Sequence, residues 1–271
     1  MNDQEIQARG LVLLGCGKMG SAMLAGWLSN GLDPASVYVV DPFPNDWVTS
    51  QGVHVNAPLP ASPAIVLIAV KPQMMQDALP TLQTMGNSDT VFLSIAAGTS
   101  IATLQGILGQ NTPIIRAMPN TPAAVGKGIT ALIGNGFVST SALDVADHLL
   151  QAIGQTVRLE HEDQMDAVTG VSGSGPAYVF HLIETLAAAG QAQGLSEDLA
   201  MALAKATVAG AGALAEQSQD TPEQLRINVT SPNGTTQAGL EVLMDGDTGL
   251  PSLINRTVAA ATNRSKELAN G

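Results

Sequence analysis

Residues 11–31 constrain this sequence most: an apolar run from Leu11 to Leu14, then Gly15-Cys16-Gly17-Lys18-Met19-Gly20, then an amphipathic stretch. A run, a glycine turn and a helical pattern in that order predict a strand feeding a helix through a tight turn. The spacing is G-x-G-x-x-G. The first glycine permits the turn, the second lets backbone approach a pyrophosphate, and the third lets the helix lie close on its strand. The opening turn of the helix adds unpaired N–H groups and the positive end of its dipole. A second β-branched run, residues 37–41, ends in Asp41 about 20 residues past the turn, where a carboxylate accepts hydrogen bonds from an adenosine ribose. An acid at that place repels a 2′-phosphate, and Pro42-Phe43-Pro44 follows it instead of an arginine, so Asp41 leans towards NADH. The same residue could alternatively cap a turn at the strand end.

The remaining first half repeats the theme. Residues 64–70 form a continuous apolar run of the kind buried on both faces of a parallel sheet, stopping at Lys71-Pro72. Residues 90–98 and 114–122 give two more strands, the second breaking into a proline-rich loop. Helical patterns at 74–85 and 100–108 alternate with them, and 129–133, a helix at 141–153 and 156–159 complete a doubly wound α/β sheet. The texture changes near Glu160. From there on alanine, leucine and glycine recur at helical spacing, at 181–193, 197–217, 236–244 and 250–269, and no aromatic residue follows Phe180. The expected division is a dinucleotide-binding domain over 1–160 and a helical domain over 161–271. Small residues such as Ala206, Gly210 and Gly212 permit close helix approach. With apolar side chains on more than one face, such a half is completed by a second copy or forms a self-contained bundle; the pattern favours the dimer.

Charge narrows the function classes. The net charge is −12, and 13 acidic against 5 basic residues fall in 161–271. That disfavours nucleic acid and anionic membrane surfaces, and requires a local site for any anionic substrate. The polar, acidic start, Met1 to Glu5, has no basic segment, and no apolar run is read as a membrane span, so a cytoplasmic protein is expected. Cys16 is the only cysteine, which excludes an intrachain disulfide and a cysteine-based metal cluster; no metal site is expected.

Two stretches in the second half could carry chemistry. Residues 228–239 are uncharged and dense in hydroxyls, glycine and asparagine, with a helix beginning near Thr236, a composition that can hold a carboxylate on backbone N–H groups and hydroxyls or simply cap the helix. Residues 168–178 place three glycines and a proline where the flanks are helical, so the segment either breaks the helix or is kept small for close packing or a ligand. A hydroxy-acid dehydrogenase needs a base, and Lys205 is the candidate for that alternative; a dinucleotide-sensing binding protein is another. An imine substrate needs less. It can arrive protonated and requires only a hydrogen-bonding hydroxyl near nitrogen, which Thr236 could supply.

The glycine turn, Ala69-Val70-Lys71-Pro72, Ala96-Ala97-Gly98, the Arg116–Pro122 stretch, and residues 166–178 and 228–239 together resemble the motifs of the pyrroline-5-carboxylate reductases. The resemblance runs from the first strand to the last helix. It implies a Rossmann-type sheet followed by an all-helical dimerisation domain, and NAD(P)H-dependent reduction of 1-pyrroline-5-carboxylate to L-proline by a dimer or a ring of dimers. It also implies that Thr236 meets the ring nitrogen, that Ser231, Gly234 and Thr235 belong to the carboxylate loop, and that Asn228 and Glu162 lie near the nicotinamide. Ala69–Pro72 and Ala96–Gly98 would line the cofactor channel, with Asn56 on its adenosine side. Two departures stand out. Asp41-Pro42 replaces the Ser, Asn or Arg usual in members that favour NADPH, and Asn233-Gly234-Thr235 replaces Gly-Gly-Ala in the loop.

Overall fold

The computed structural model describes residues 3–270 and divides into two compact units, 1–173 with 261–271, and 174–260. Met1, Asn2 and Gly271 lie outside the described residues, and with them part of the acidic start. The first unit runs α1 (Asp3–Arg9), β1 (Leu11–Leu14), α2 (Lys18–Ser29), β2 (Val37–Val40), α3 (Asp46–Ser50), β3 (His54–Val55), β4 (Ile65–Ile68), α4 (Met75–Ala78), β5 (Val91–Ser94), α5 (Ile101–Leu108), β6 (Ile114–Met118), β7 (Gly128–Gly134), α6 (Thr140–Gln151), β8 (Gly154–Arg158) and α7 (Gln164–Val168).

The eight strands form one sheet in the order β3-β2-β1-β4-β5-β6-β7-β8, parallel except for the β6–β7 pair. The chain therefore winds outward from β1 in one direction, then from β4 in the other. The point of reversal lies between β1 and β4, which pair Leu11 with Ile65 and Leu14 with Ile68. Alternate residues of these all-apolar strands face opposite sides, so each face builds its own core. Leu11, Leu13, Ile65 and Leu67 pack with Met23, Leu24 and Trp27 of α2 and with Val145, Leu149 and Leu150 of α6. Val12, Leu14, Val66 and Ile68 pack with Leu79, Leu82, Leu104 and Leu108. Trp27 is 3% exposed, and its indole N–H donates to the Leu149 carbonyl at 2.8 Å, so α2 and α6 are joined by a buried hydrogen bond as well as by area.

The structure departs from the sequence pattern in several places. The helix expected over 74–85 is a 3-10 turn at Pro72–Met74, the single α turn of α4, and a 3-10 segment at Leu79–Met85. Pro80 explains the change: it has no N–H, and its ring clashes with the carbonyl four residues earlier. Short elements α1, α3 and β3 had no periodic signal long enough to read. The compact units divide after Gly173, whereas the change in composition falls near Glu160.

In the second unit, α8 (Gly175–Ala192), α9 (Glu197–Gln217), α10 (Pro222–Asn228), α11 (Thr235–Leu243) and the first part of α12 (Leu250–Asn270) follow one another. The α8–α9 hairpin packs through Ala187, Ala200 and Ala204; a Cβ at Gly190 would stand 3.3 Å from that of Ala200, which is the close approach small residues allow. These three alanines are the buried core among the described residues of the unit, while Leu182, Leu186, Leu199, Leu203, Val242 and Leu253 are exposed. By length and composition α9 could cross a membrane, with a mean hydropathy of 1.3 and 11% of that stretch buried, contrary to the expectation that no run qualifies. Its alanines raise the hydropathy without giving the leucine-dense look of a span.

Candidate active site

The carboxyl ends of β2, β1, β4 and β5 stand in a row at one edge of the sheet. Backbone bonds continue past each strand: Gly15 N–H donates to the Val40 carbonyl, Ala69 N–H to Leu14, and Ile95 N–H to Ile68, at 2.8, 2.8 and 3.0 Å. In a doubly wound sheet the crevice beyond such ends, at the reversal of strand order, is where ligands bind.

The glycine turn occupies that point. Gly15 has φ +88°, and a Cβ there would meet Val70 Cγ1 at 2.8 Å, so only glycine serves. A Cβ at Gly20 would stand 2.5 Å from the Gly15 carbonyl oxygen, which brings α2 down onto the turn. Gly17 differs. A Cβ there would meet nothing within 4 Å, so no protein atom demands glycine, and an open cradle lies over the first turn of α2. Gly17 itself is the N-cap, with no side-chain hydrogen bond to the helix start. Unpaired N–H groups beneath an open cradle fit a pyrophosphate. Lys18 is exposed beside it, and Met19 packs inward against the core.

Asp41 closes the adenosine side. Its Oδ2 accepts from the Cys16 N–H at 2.6 Å and its Oδ1 from the Phe43 N–H at 2.8 Å. The carboxylate thus braces the glycine turn and its own loop, as the capping alternative anticipated, with lone pairs left on both oxygens. Asn56, at φ 50°, grips the backbone of Asp41 at both ends: its Oδ1 accepts from Asp41 N–H at 3.0 Å and its Nδ2 donates to the Asp41 carbonyl at 2.8 Å. Burial pushes the Cys16 thiol up; the Ser21 hydrogen bond opposes that rise and the Asp41 charge adds to it. A neutral buried thiol is a packing group here.

At the other end of the edge, Ala69 and Val70 are half-buried and Lys71 and Pro72 exposed, while Ala96 is buried, Ala97 exposed and Gly98 half-buried at φ +73°. Glu162 stands next to this loop. One of its oxygens, Oε1, accepts from the Arg116 guanidinium and from the Ile101 N–H that opens α5, both at 2.8 Å. Arg116 is 6% exposed, a buried cation held by a charge-assisted bond, and sequence reading had assigned it no contact.

In the second unit, α11 begins at Gly234, an N-cap with no side-chain hydrogen bond to the helix start. Asn233, at φ 57°, turns the chain, with its N–H on Gln237 Oε1 at 2.8 Å, and Gly234 N–H reaches the Ser231 carbonyl at 3.0 Å. Thr235 and Thr236 are exposed in the first helical turn, and among the described residues the hydroxyls of Ser231, Thr235 and Thr236 have no hydrogen-bond partner. Unsatisfied N–H groups and three hydroxyls suit a carboxylate. Asn228, at the end of α10, is engaged locally, donating to Asp220 at 3.2 Å and accepting from Gln224 at 2.8 Å. Lys205 is exposed on α9.

Comparison with known proteins decides the family. Residues 162–268 match the family model described as pyrroline-5-carboxylate reductase dimerisation, and residues 10–98 the one described as NADP oxidoreductase coenzyme F420-dependent. The pyrroline-5-carboxylate reductase of Pseudomonas aeruginosa is 37% identical over 265 residues, covering 96% of each chain. The chain belongs to the pyrroline-5-carboxylate reductase family. Among solved structures, the reductase from Coxiella burnetii superposes with a TM-score of 0.91 at 32% identity, covering 96% of this chain and 98% of that one. The Plasmodium falciparum enzyme, solved with NADP bound, gives 0.82 at 27% identity over 97% and 99%. The Rossmann-type sheet and the helical dimerisation domain of this reductase are those the family carries, and the enzyme is a homo-oligomer built through that helical domain.

Proposed function

We propose that this reductase holds an imino acid by its carboxylate on the 231–235 loop and by its ring nitrogen on Thr236. The reaction is the reduction of 1-pyrroline-5-carboxylate to L-proline with NADH or NADPH as reductant, the last step of proline synthesis. When bound, the dihydronicotinamide supplies a hydride for the imine carbon, and the nitrogen carries the proton with which it arrived. The glycine turn from Gly15 to Gly20 would hold the pyrophosphate, Asp41 and Asn56 the adenosine, and Ala69–Pro72, Ala96–Gly98, Glu162 and Asn228 the nicotinamide half. The observation that carries the reading is the pairing, in one chain of this family, of the open Gly17 cradle with an uncapped, hydroxyl-rich helix start at Gly234. No strong acid or base is needed, because placing two carbons about 3–3.5 Å apart is the main task.

The working division is a dinucleotide-binding domain over 1–160 and a helical dimerisation and substrate domain over 161–271, assembled as a dimer or a ring of dimers. A cytoplasmic site of action without nucleic-acid or membrane partners is part of this reading, and the net charge of −12 supports the absence of nucleic-acid and anionic membrane partners.

The test is cofactor oxidation by purified protein with pyrroline-5-carboxylate, run in parallel with NADH and NADPH. Turnover with neither, from folded protein that binds both, would sink the reading. Thr236→Ala is expected to lower kcat/KM roughly tenfold or more, about 1.4 kcal/mol of transition-state stabilisation; wild-type kinetics would remove Thr236 from its role. Asp41→Ser should shift the NADH to NADPH ratio of kcat/KM towards NADPH, since it removes the charge that repels a 2′-phosphate. An unchanged ratio would leave Asp41 as a brace for the turn alone.

A further inference from the structure

Between Val168 at the end of α7 and Gly175 at the start of α8 the helix does not simply break. Residues Thr169–Gly173 form a π-helical turn, a conformation rare in proteins and recurrent at functional sites. Two groups on β6 and its following loop hold the turn in place. Asn120 is 9% exposed, and its Nδ2 donates to the Ser172 carbonyl at 3.2 Å while its Oδ1 accepts from the Ile129 N–H of β7 at 3.0 Å. One buried amide therefore ties the turn to the sheet across 52 residues of sequence. Met118 lies against the same turn: a Cβ at Gly173 would stand 2.7 Å from Met118 Cε.

The place of this clamp matters. β6 runs parallel to β5, so Met118, which ends it, and Asn120, which follows, lie at the same edge as the glycine turn, Ala69 and Ala96–Gly98. The held segment starts at Glu162, bonded to the mouth of α5, and ends at Gly173, against Met118. Asp166 within it accepts from Ser265 at 2.7 Å. A ligand whose adenosine end is at Asp41 and whose pyrophosphate is at Gly17 extends along this edge towards β5 and β6. The turn stands there, with Val171 exposed and Gly170 buried. A rare backbone form, fixed by a buried side chain that makes one bond to it and one to the sheet, is built for placement.

We propose that Asn120 is a positioning residue for hydride transfer: by clamping the Thr169–Gly173 turn it fixes the wall at the β5–β6 end of the crevice, against which the reacting ring is held. The inference rests on the reductase reading. Asn120→Asp keeps an acceptor for Ile129 and, when ionised, has no donor for Ser172, so it opens the clamp. The expected result is a fall in kcat of roughly tenfold, NADH affinity by equilibrium fluorescence titration within about twofold of wild type, and a larger primary deuterium isotope effect with cofactor deuterated at the transferred position. Amide exchange across 169–173 should quicken in the cofactor-free protein. Unchanged kcat despite faster exchange overturns the proposal. So does a fall in kcat accompanied by equal loss of affinity and an unchanged isotope effect, the pattern of general structural damage.

A second variant carries the test if Asn120→Asp folds poorly. Asn120→Ala removes both bonds of the amide without adding a charge, and it should lower kcat, leave NADH affinity within about twofold of wild type and enlarge the isotope effect in the same way. Unchanged kcat in folded Asn120→Ala overturns the proposal. Wild-type turnover of pyrroline-5-carboxylate in the same preparation tests the reductase reading separately, so the two can fail independently.

Discussion

Gly17→Val is expected to abolish cofactor binding while leaving the protein folded: a loss of NADH affinity on the order of 100-fold or more, about 2.7 kcal/mol, with Tm lowered by no more than about 4 °C. The asymmetry follows from what surrounds the residue. At Gly17 the backbone lies at φ −69°, which valine adopts, and a Cβ meets no protein atom within 4 Å. The folded state thus loses little beyond a poorer helix cap, worth about 1 kcal/mol. The isopropyl group would instead stand over the first-turn N–H groups of α2, where a pyrophosphate must come within hydrogen-bond distance. Fluorescence titration with NADH and a thermal melt of the same sample measure both halves. Gly20→Val provides the contrast. Its Cβ would stand 2.5 Å from a backbone oxygen, so that variant should lose stability first and affinity with it. Wild-type affinity in Gly17→Val would mean that the turn does not carry the dinucleotide.

The same three glycines show what was legible in the sequence. Strand, turn and helix could be placed because each has a local cause: unbroken apolar runs for strands buried on both faces, glycine spacing for the turn, 3.6-residue periodicity for α2, α5, α6 and α9. Asp41 was legible as the acid ending β2, yet its bonds to Cys16 and Phe43 were not, since those depend on how the loop folds back. The clamps were invisible for a stronger reason. Arg116 meets Glu162 across 46 residues and Asn120 meets Ser172 across 52, and no local pattern encodes a pairing that only the folded chain brings together. The π turn shows the intermediate case: its glycines announced an irregularity, but the Asn120 bond and the Met118 contact that meet it come from β6 and its following loop. The 3-10 segment at Leu79–Met85 was readable in principle from Pro80, where periodicity outweighed a breaker.

Leu203→Asp should dissociate the assembly. The helical unit cannot close its own core: Ala187, Ala200 and Ala204 are its buried apolar residues among those described, and Leu203 is 49% exposed beside Leu186, Leu195 and Thr207 in an open groove between α8 and α9. Exposed leucines in such number, on a domain that matches a dimerisation family, are the face a second copy is expected to cover. A carboxylate carried into that contact meets no cation in the groove, which is lined by Leu186, Ala189, Gly190, Gln193, Leu195, Ala200, Ala204 and Thr207. Burying it uncompensated costs several kcal/mol, and about 4 kcal/mol is a thousandfold rise in the dissociation constant. At micromolar protein the variant is then expected to sediment as a monomer. Mass action adds a second signature: the wild-type Tm should rise with protein concentration, and the variant's should sit lower and lose that dependence. Activity should fall with dissociation, because the helix start at Gly234 sits in a unit that relies on its partner for a core. If Leu203→Asp sediments and melts like wild type, the α8–α9 groove is not the subunit contact, and the exposed residues of α10, α11 and α12 around Met244 and Ile254 become the face to examine.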